Sequence, residues 1–128
     1  MSYLWVAIGA GFGGVLRYWC SGVAVRLGAE TFPWGTLFIN VAGSAFIGWF
    51  AAMSGPDGRW LIPANTRLLV MTGLCGGFTT FSTFSLETLR LIEDRQWGPA
   101  AWNVSLSVGL CLAGVWLGNR LANGWDQR

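Results

Sequence analysis

The chain has no histidine, no lysine and little charge of either sign. Of its 128 residues only 11% are charged, against about 25% in an ordinary soluble domain. A soluble surface would be hard to cover with so few. The missing histidine removes the commonest general base and the commonest metal ligand. With no nucleophile–base pair or metal-ligand set in view, an enzyme is not expected. The net charge of +2 is too small and too scattered for a nucleic-acid binder. The cysteines, Cys20, Cys75 and Cys111, lie within apolar stretches and lack metal-ligand spacing. They read as buried free thiols rather than as a disulfide or a reactive site. No basic region followed by a cleavage site opens the chain, so the first apolar stretch is expected to be retained.

What the chain does have is apolar length. Hydrophobic residues make up 53% of it, with nine tryptophans, a residue that favours membrane interfaces. Four apolar segments stand out, at about residues 4–25, 35–53, 68–89 and 99–117. Each is close to the roughly 20 residues needed to cross hydrocarbon. Phe32-Pro33, Ser54-Gly55-Pro56-Asp57-Gly58 and Gln96-Trp97-Gly98-Pro99 supply turn chemistry between them. The expected fold is an all-α membrane protein, with residues 1–128 forming a single four-helix membrane domain.

Charge bears on orientation. If both termini share one side, that side carries Arg59, Arg67, Arg120 and Arg128, and the other carries Arg26, Arg90 and Arg95. Orientation follows an excess of Lys/Arg in cytoplasmic loops, and here the sides nearly balance. A chain without preference inserts both ways, which permits an antiparallel two-fold dimer with its axis in the membrane plane. A weak bias resolved in the cell explains the same count.

The third segment carries the unusual run Gly73-Leu74-Cys75-Gly76-Gly77-Phe78-Thr79-Thr80-Phe81-Ser82-Thr83-Phe84-Ser85. Paired glycines weaken a helix, and Ser/Thr side chains compete for its backbone hydrogen bonds. Backbone freed this way in hydrocarbon must be buried in protein or line a water-filled cavity. A broken helix at mid-membrane is therefore expected, and with it an ion or substrate site. Phe78, Phe81 and Phe84 recur every three residues, a spacing that ordinarily means packing. The alternative uses the partially positive ring edge, which can face an anion.

Other polar features are few. Asn40, in an apolar second segment, offers two N–H donors to an anion or a hydrogen bond between helices. Asn103, Ser107 and Cys111 share a helical face in the fourth segment and suit either a pore lining or a packing seam. The sequon Asn103-Val104-Ser105 lies in or beside a span and reads as chance. Arg17 is a charge inside the first segment, pointing to an interior or vestibule position, with snorkelling to the headgroups as the plainer reading. Gly9-Ala10-Gly11-Phe12-Gly13-Gly14 matches GxGxxG, yet that motif needs a preceding strand and an exposed helix start. Gly9/Gly13 and Ala10/Gly14 instead have the small-xxx-small spacing of close helix packing.

These strings resemble the Fluc (CrcB) fluoride channels over nearly the whole chain. The glycine-rich first segment ending in Arg17-Tyr18, the stretch from Gly35-Thr36-Leu37 through Asn40 to Gly43, and the run from Gly73 to Phe84 carry the resemblance. It implies a passive channel exporting cytoplasmic fluoride from the bacterial plasma membrane, built as an antiparallel dual-topology homodimer of four-helix subunits. It implies a structural sodium ion at the dimer centre, held by the backbone carbonyls of Gly76 and Thr79. The fluoride pathway falls on Asn40, Phe81 and Phe84, with hydroxyls from Thr83 and Ser107. Cys111 replaces a hydroxyl and is left out. Glu87 resembles a vestibule carboxylate, with an ion pair to Arg90 as its plainer reading.

Two other functions compete. A proton-coupled small multidrug exporter needs a carboxylate in its first span, where this chain has Arg17 and no Asp or Glu. A non-conducting membrane scaffold leaves the Gly/Thr-rich run unexplained.

Overall fold

The computed structural model describes residues 1–28 and 31–124; Arg128, counted above among the orientation charges, lies outside them. The regular structure of the described residues is all helix, with no strand. Helix α1 spans Ser2–Arg26 and α2 spans Trp34–Ser54. The next apolar stretch is divided into α3 (Ala64–Arg67), a π-helical turn series (Leu68–Cys75), α4 (Gly76–Phe78) and α5 (Phe81–Glu93). Helix α6 spans Trp97–Gly124. Three stretches are long and apolar enough to cross a membrane: Trp34–Ser54, Ala64–Glu93 and Trp97–Gly124. Helix α1 has the length, at 25 residues, but Arg17, Ser21 and its many glycines dilute its hydropathy.

Prolines and glycines set the boundaries. Helix α2 starts immediately after Pro33 and stops at Gly55-Pro56, and α3 follows Pro63. Pro99 lies in the first turn of α6, where a missing N–H costs nothing. The end of α2 is tied down twice. Trp60 N–H donates to Met53 O at 2.9 Å, and the Arg67 guanidinium donates to Ser54 O, placing a cation on the negative end of the helix. At the end of α5, Arg95 N–H donates to Ile92 O at 3.0 Å and Gln96 N–H to Leu91 O at 2.8 Å. That is a Schellman cap, with Arg95 at φ 59° where glycine is usual.

Glycine decides which helices touch. Helix α1 lies along the π-helical stretch and α4, with Gly9 and Gly13 buried. A Cβ on Gly73 would sit 2.9 Å from Gly9 Cα, and one on Gly77 would sit 2.8 Å from Ala10 Cα. Of the two small-residue pairs in the sequence, Gly9/Gly13 lies wholly in the seam, while the other contributes Ala10 alone. Gly14 has nothing within 4 Å of a built Cβ. Helix α2 packs most extensively on α6, where Gly48, Gly114 and Gly118 bring the backbones together. Gly114 faces Val41 and Gly118 faces Ala45 and Trp49, so the two helices run in the same direction. The GxGxxG string is an ordinary part of α1.

Large apolar side chains, among them Phe12, Trp19, Trp102, Leu112 and Trp116, face outward. The three thiols are free, Cys75 buried and the other two half-buried.

Candidate functional site

Between α4 and α5 the chain leaves helical geometry at two residues. Thr79 has φ −79° and ψ 157°, and Thr80 has φ −151° and ψ 106°. Asn40, on the facing side of α2, clamps this step from both sides. Thr80 N–H donates to Asn40 Oδ1 at 2.7 Å, and Asn40 Nδ2 donates to Thr80 O at 3.0 Å. The amide thus makes the two hydrogen bonds that a neighbouring peptide unit would make. Thr80 also caps α5, its Oγ1 accepting from Thr83 N–H at 3.2 Å.

These bonds have a consequence for two carbonyls. In a continuous helix Gly76 O would accept from Thr80 N–H, and Thr79 O from Thr83 N–H. Both donors are spent elsewhere, one on Asn40 and one on the Thr80 hydroxyl. Gly76 and Thr79 therefore each present a carbonyl relieved of its helical donor, and both residues line the same cavity. Carbonyl oxygens at a helix break suit a small monovalent cation. The residue pair fits one.

That cavity, about 420 Å3, lies among α2, the π-helical stretch, α4, α5 and α6. It brings together Asn40, Gly76, Thr79, Phe81, Phe84 and Ser107, and adds Ser44, Cys75 and Cys111. Among the described residues, no charged side chain lines it. Asn40 retains one N–H beyond the bond to Thr80. The rings of Phe81 and Phe84 are 5.2 Å apart at 50°, and their surroundings differ sharply. Phe84 is 8% exposed while Phe81 is 76% exposed, so α5 presents one ring to the interior and one to whatever faces the open side.

Asn103 is 1% exposed. Its Nδ2 donates to Thr88 Oγ1 at 2.9 Å, and Thr88 donates to Phe84 O at 2.8 Å. Asn103 is thus a seam to α5, while Ser107, which donates to Asn103 Oδ1 at 3.5 Å, and Cys111 line the cavity. Burial in α6 also removes the sequon from consideration.

Thr83 is not in this cavity. It lines a second one, about 580 Å3, with Thr36, Thr80, Arg17 and Tyr18, and accepts from Thr80 Oγ1 at 2.9 Å. The Asn40–Thr80 clamp therefore stands between a neutral cavity and one carrying Arg17. Glu87 accepts from Thr36 Oγ1 at 2.9 Å and leaves Oε2 buried without a hydrogen-bond partner. Among the described residues it has no ion pair with Arg90. Sequence reasoning overlooked the Thr36–Glu87 bond and the capping role of Thr80. The latter was signalled by a threonine placed directly before a new helical run.

The sequence model of the family described as CrcB-like protein, Camphor Resistance (CrcB), matches residues 4–119. The chain belongs to the CrcB family. Relatives carry the name "Fluoride-specific ion channel FluC". That of Paramagnetospirillum magneticum is 55% identical over 119 residues, covering 93% of both chains. That of Rhodospirillum rubrum is 55% identical over 93% of this chain and 92% of its own. A third, from Methylocella silvestris, is 48% identical over 99% of this chain and 97% of its own. CrcB membership agrees with helices long and apolar enough for a bilayer.

Proposed function

We propose that this CrcB-family chain is a passive, fluoride-selective channel. The observation that carries the reading is the lining of the first cavity. Amide, hydroxyl and aromatic side chains line it, with no charged side chain among the described residues, in a chain whose relatives are named for fluoride. Fluoride is small and tightly hydrated, so a dry pathway must replace its water with close donors. The free N–H of Asn40 is such a donor, and the Ser107 hydroxyl, which donates to Asn103 Oδ1 at the long distance of 3.5 Å, becomes one by turning to the anion. Ring edges of Phe81 and Phe84 attract an anion weakly enough to release it. A guanidinium in the same place would hold it. Arg17, in the neighbouring cavity, concentrates anions outside the narrow part, and Thr83 extends the hydroxyls on that side.

The same reading has all four hydrophobic segments, α1 included, crossing a bacterial plasma membrane, with the Thr79-Thr80 step near its middle. Two subunits pair antiparallel. The 76% exposure of Phe81 supports a partner on that face. Carbonyls of Gly76 and Thr79 from both subunits would hold a sodium ion that ties the dimer together and favours anions nearby. No catalytic reaction is involved.

Anion efflux from liposomes containing the purified protein tests the channel. Fast fluoride efflux with chloride retained is expected. Equal fluxes, or dependence on a proton gradient, would exclude this mechanism. A C-terminal reporter tests the pairing, since near-balanced loop arginines should place it on both membrane faces. Adding two arginines to the loop between Arg26 and Trp34 should bias the population. A reporter confined to one face in the unmodified chain would contradict the antiparallel dimer.

A further inference from the structure

The hydroxyls of the first cavity are not equivalent. Thr79 donates to Cys75 O at 2.9 Å, which turns its proton away from the cavity. Ser107 donates to Asn103 Oδ1 at 3.5 Å. Ser54, Ser85 and Thr88 each donate to the carbonyl four residues earlier, at 2.6, 2.9 and 2.8 Å. Ser44 does not. It lies one turn after Asn40 on the same face of α2, half-buried in the cavity wall, and has no hydrogen-bond partner among the described residues. Its Oγ is not sealed in the wall but keeps some exposure, which leaves it free to donate to an occupant of the cavity.

Its height along the cavity matters. Four residues advance a helix by about 6 Å, so Ser44 forms a separate tier beyond Asn40. Ala45 faces Gly114 and Gly118 of α6, which places Ser44 level with the part of α6 just past Cys111. From Leu112 to Gly118 that helix offers no hydroxyl, amide or charged side chain, and its Trp116 faces outward. Cys111, the last member of its stripe, is a weaker donor than a hydroxyl. At this tier Ser44 is the side chain on α2 or α6 able to turn an O–H into the cavity.

We propose that Ser44 is a further anion donor of the pathway, taking fluoride over where the stripe of α6 ends in Cys111. This rests on the fluoride-channel reading above. The Ser44 O–H would donate to the anion without transferring its proton. Ser107, the Asn40 amide and Ser44 would then serve successive tiers.

Fluoride efflux from liposomes, with gel filtration of the same samples, tests this on wild type, Ser44→Ala and Ser44→Thr. Alanine should lower fluoride flux about tenfold, the loss of one donor to an ion, while the dimer persists. Threonine, which keeps the hydroxyl, should restore most of it. Flux in Ser44→Ala within about twofold of wild type overturns the proposal. So does a loss that follows dissociation of the dimer, or one reversed by raising sodium, because the hydroxyl then serves assembly or the cation. A wild-type chain that passes no fluoride would instead defeat the channel reading itself.

Discussion

Replacing Asn40 with alanine is expected to reduce fluoride flux by about 100-fold or more, from two causes acting together. The substitution removes the remaining N–H offered to the cavity. It also removes both bonds of the clamp, at 2.7 and 3.0 Å, each contributing about 1 kcal/mol to the local structure. Thr80 N–H is then free to return to Gly76 O, and the gap between α4 and α5 would close toward a continuous helix. Gly76 would lose its available carbonyl at the same time. Asn40→Asp separates the two roles. It keeps an acceptor for Thr80 N–H, so the step at Thr79-Thr80 stays in place, but it puts a negative group on the anion's path. Flux should be lost in both variants. Hydrogen exchange at the Thr80 amide should rise in Asn40→Ala and stay low in Asn40→Asp. Wild-type flux in a folded Asn40→Ala would sink both assignments.

The second large effect is structural. A Cβ on Gly13 would overlap Leu74 O and lie 2.7 Å from Phe78 N and 3.0 Å from Gly77 C. All three are backbone atoms of the π-helical stretch and α4, so no side chain can rotate aside. Helix α1 would have to move away bodily. Gly13→Ala should cost about 3 kcal/mol, and a bulkier residue should prevent assembly. Because Gly13 opposes the segment ending at Thr79, what remains folded should also conduct poorly. Gly14→Ala is the control, since nothing lies within 4 Å of its built Cβ and alanine favours a helix over glycine. Thermal unfolding in detergent reads the difference. Equal stability of the two alanine variants would remove glycine contact as the basis of the α1 seam.

Gly13 and Gly14 also show where sequence reasoning stopped. Both belonged to small-xxx-small pairs, and nothing in a linear string says which edge of α1 meets the third segment. That depends on the rotation of one helix against another, which the contacts of Gly9, Gly13, Gly73 and Gly77 fix jointly. The stripe of α6 was ambiguous for the same reason. Asn103 and Ser107 share a face, yet Asn103 is sealed against Thr88 while Ser107 reaches the cavity. Thr83 stood among the pathway hydroxyls, and capping at Thr80 turned it toward the cavity of Arg17.

Residue chemistry and spacing alone determined the helical class, the apolar lengths, the near-balanced arginines and the place where backbone regularity would be hardest to keep. Those follow from local rules: hydrocarbon excludes unpaired backbone, proline ends helices, and glycines beside Ser/Thr weaken them. Tertiary structure decided which atoms the weakened run exposes. Asn40 and Thr80 lie 40 residues apart, and only the packing of α2 against the third segment brings the amide to the peptide it replaces. That contact diverts the donor from Gly76, as the Thr80 hydroxyl diverts the one from Thr79, in residues that line one cavity with Asn40. No local propensity encodes it, because the competing partner for each backbone group comes from a different helix or from a turn that forms only once that helix is in place.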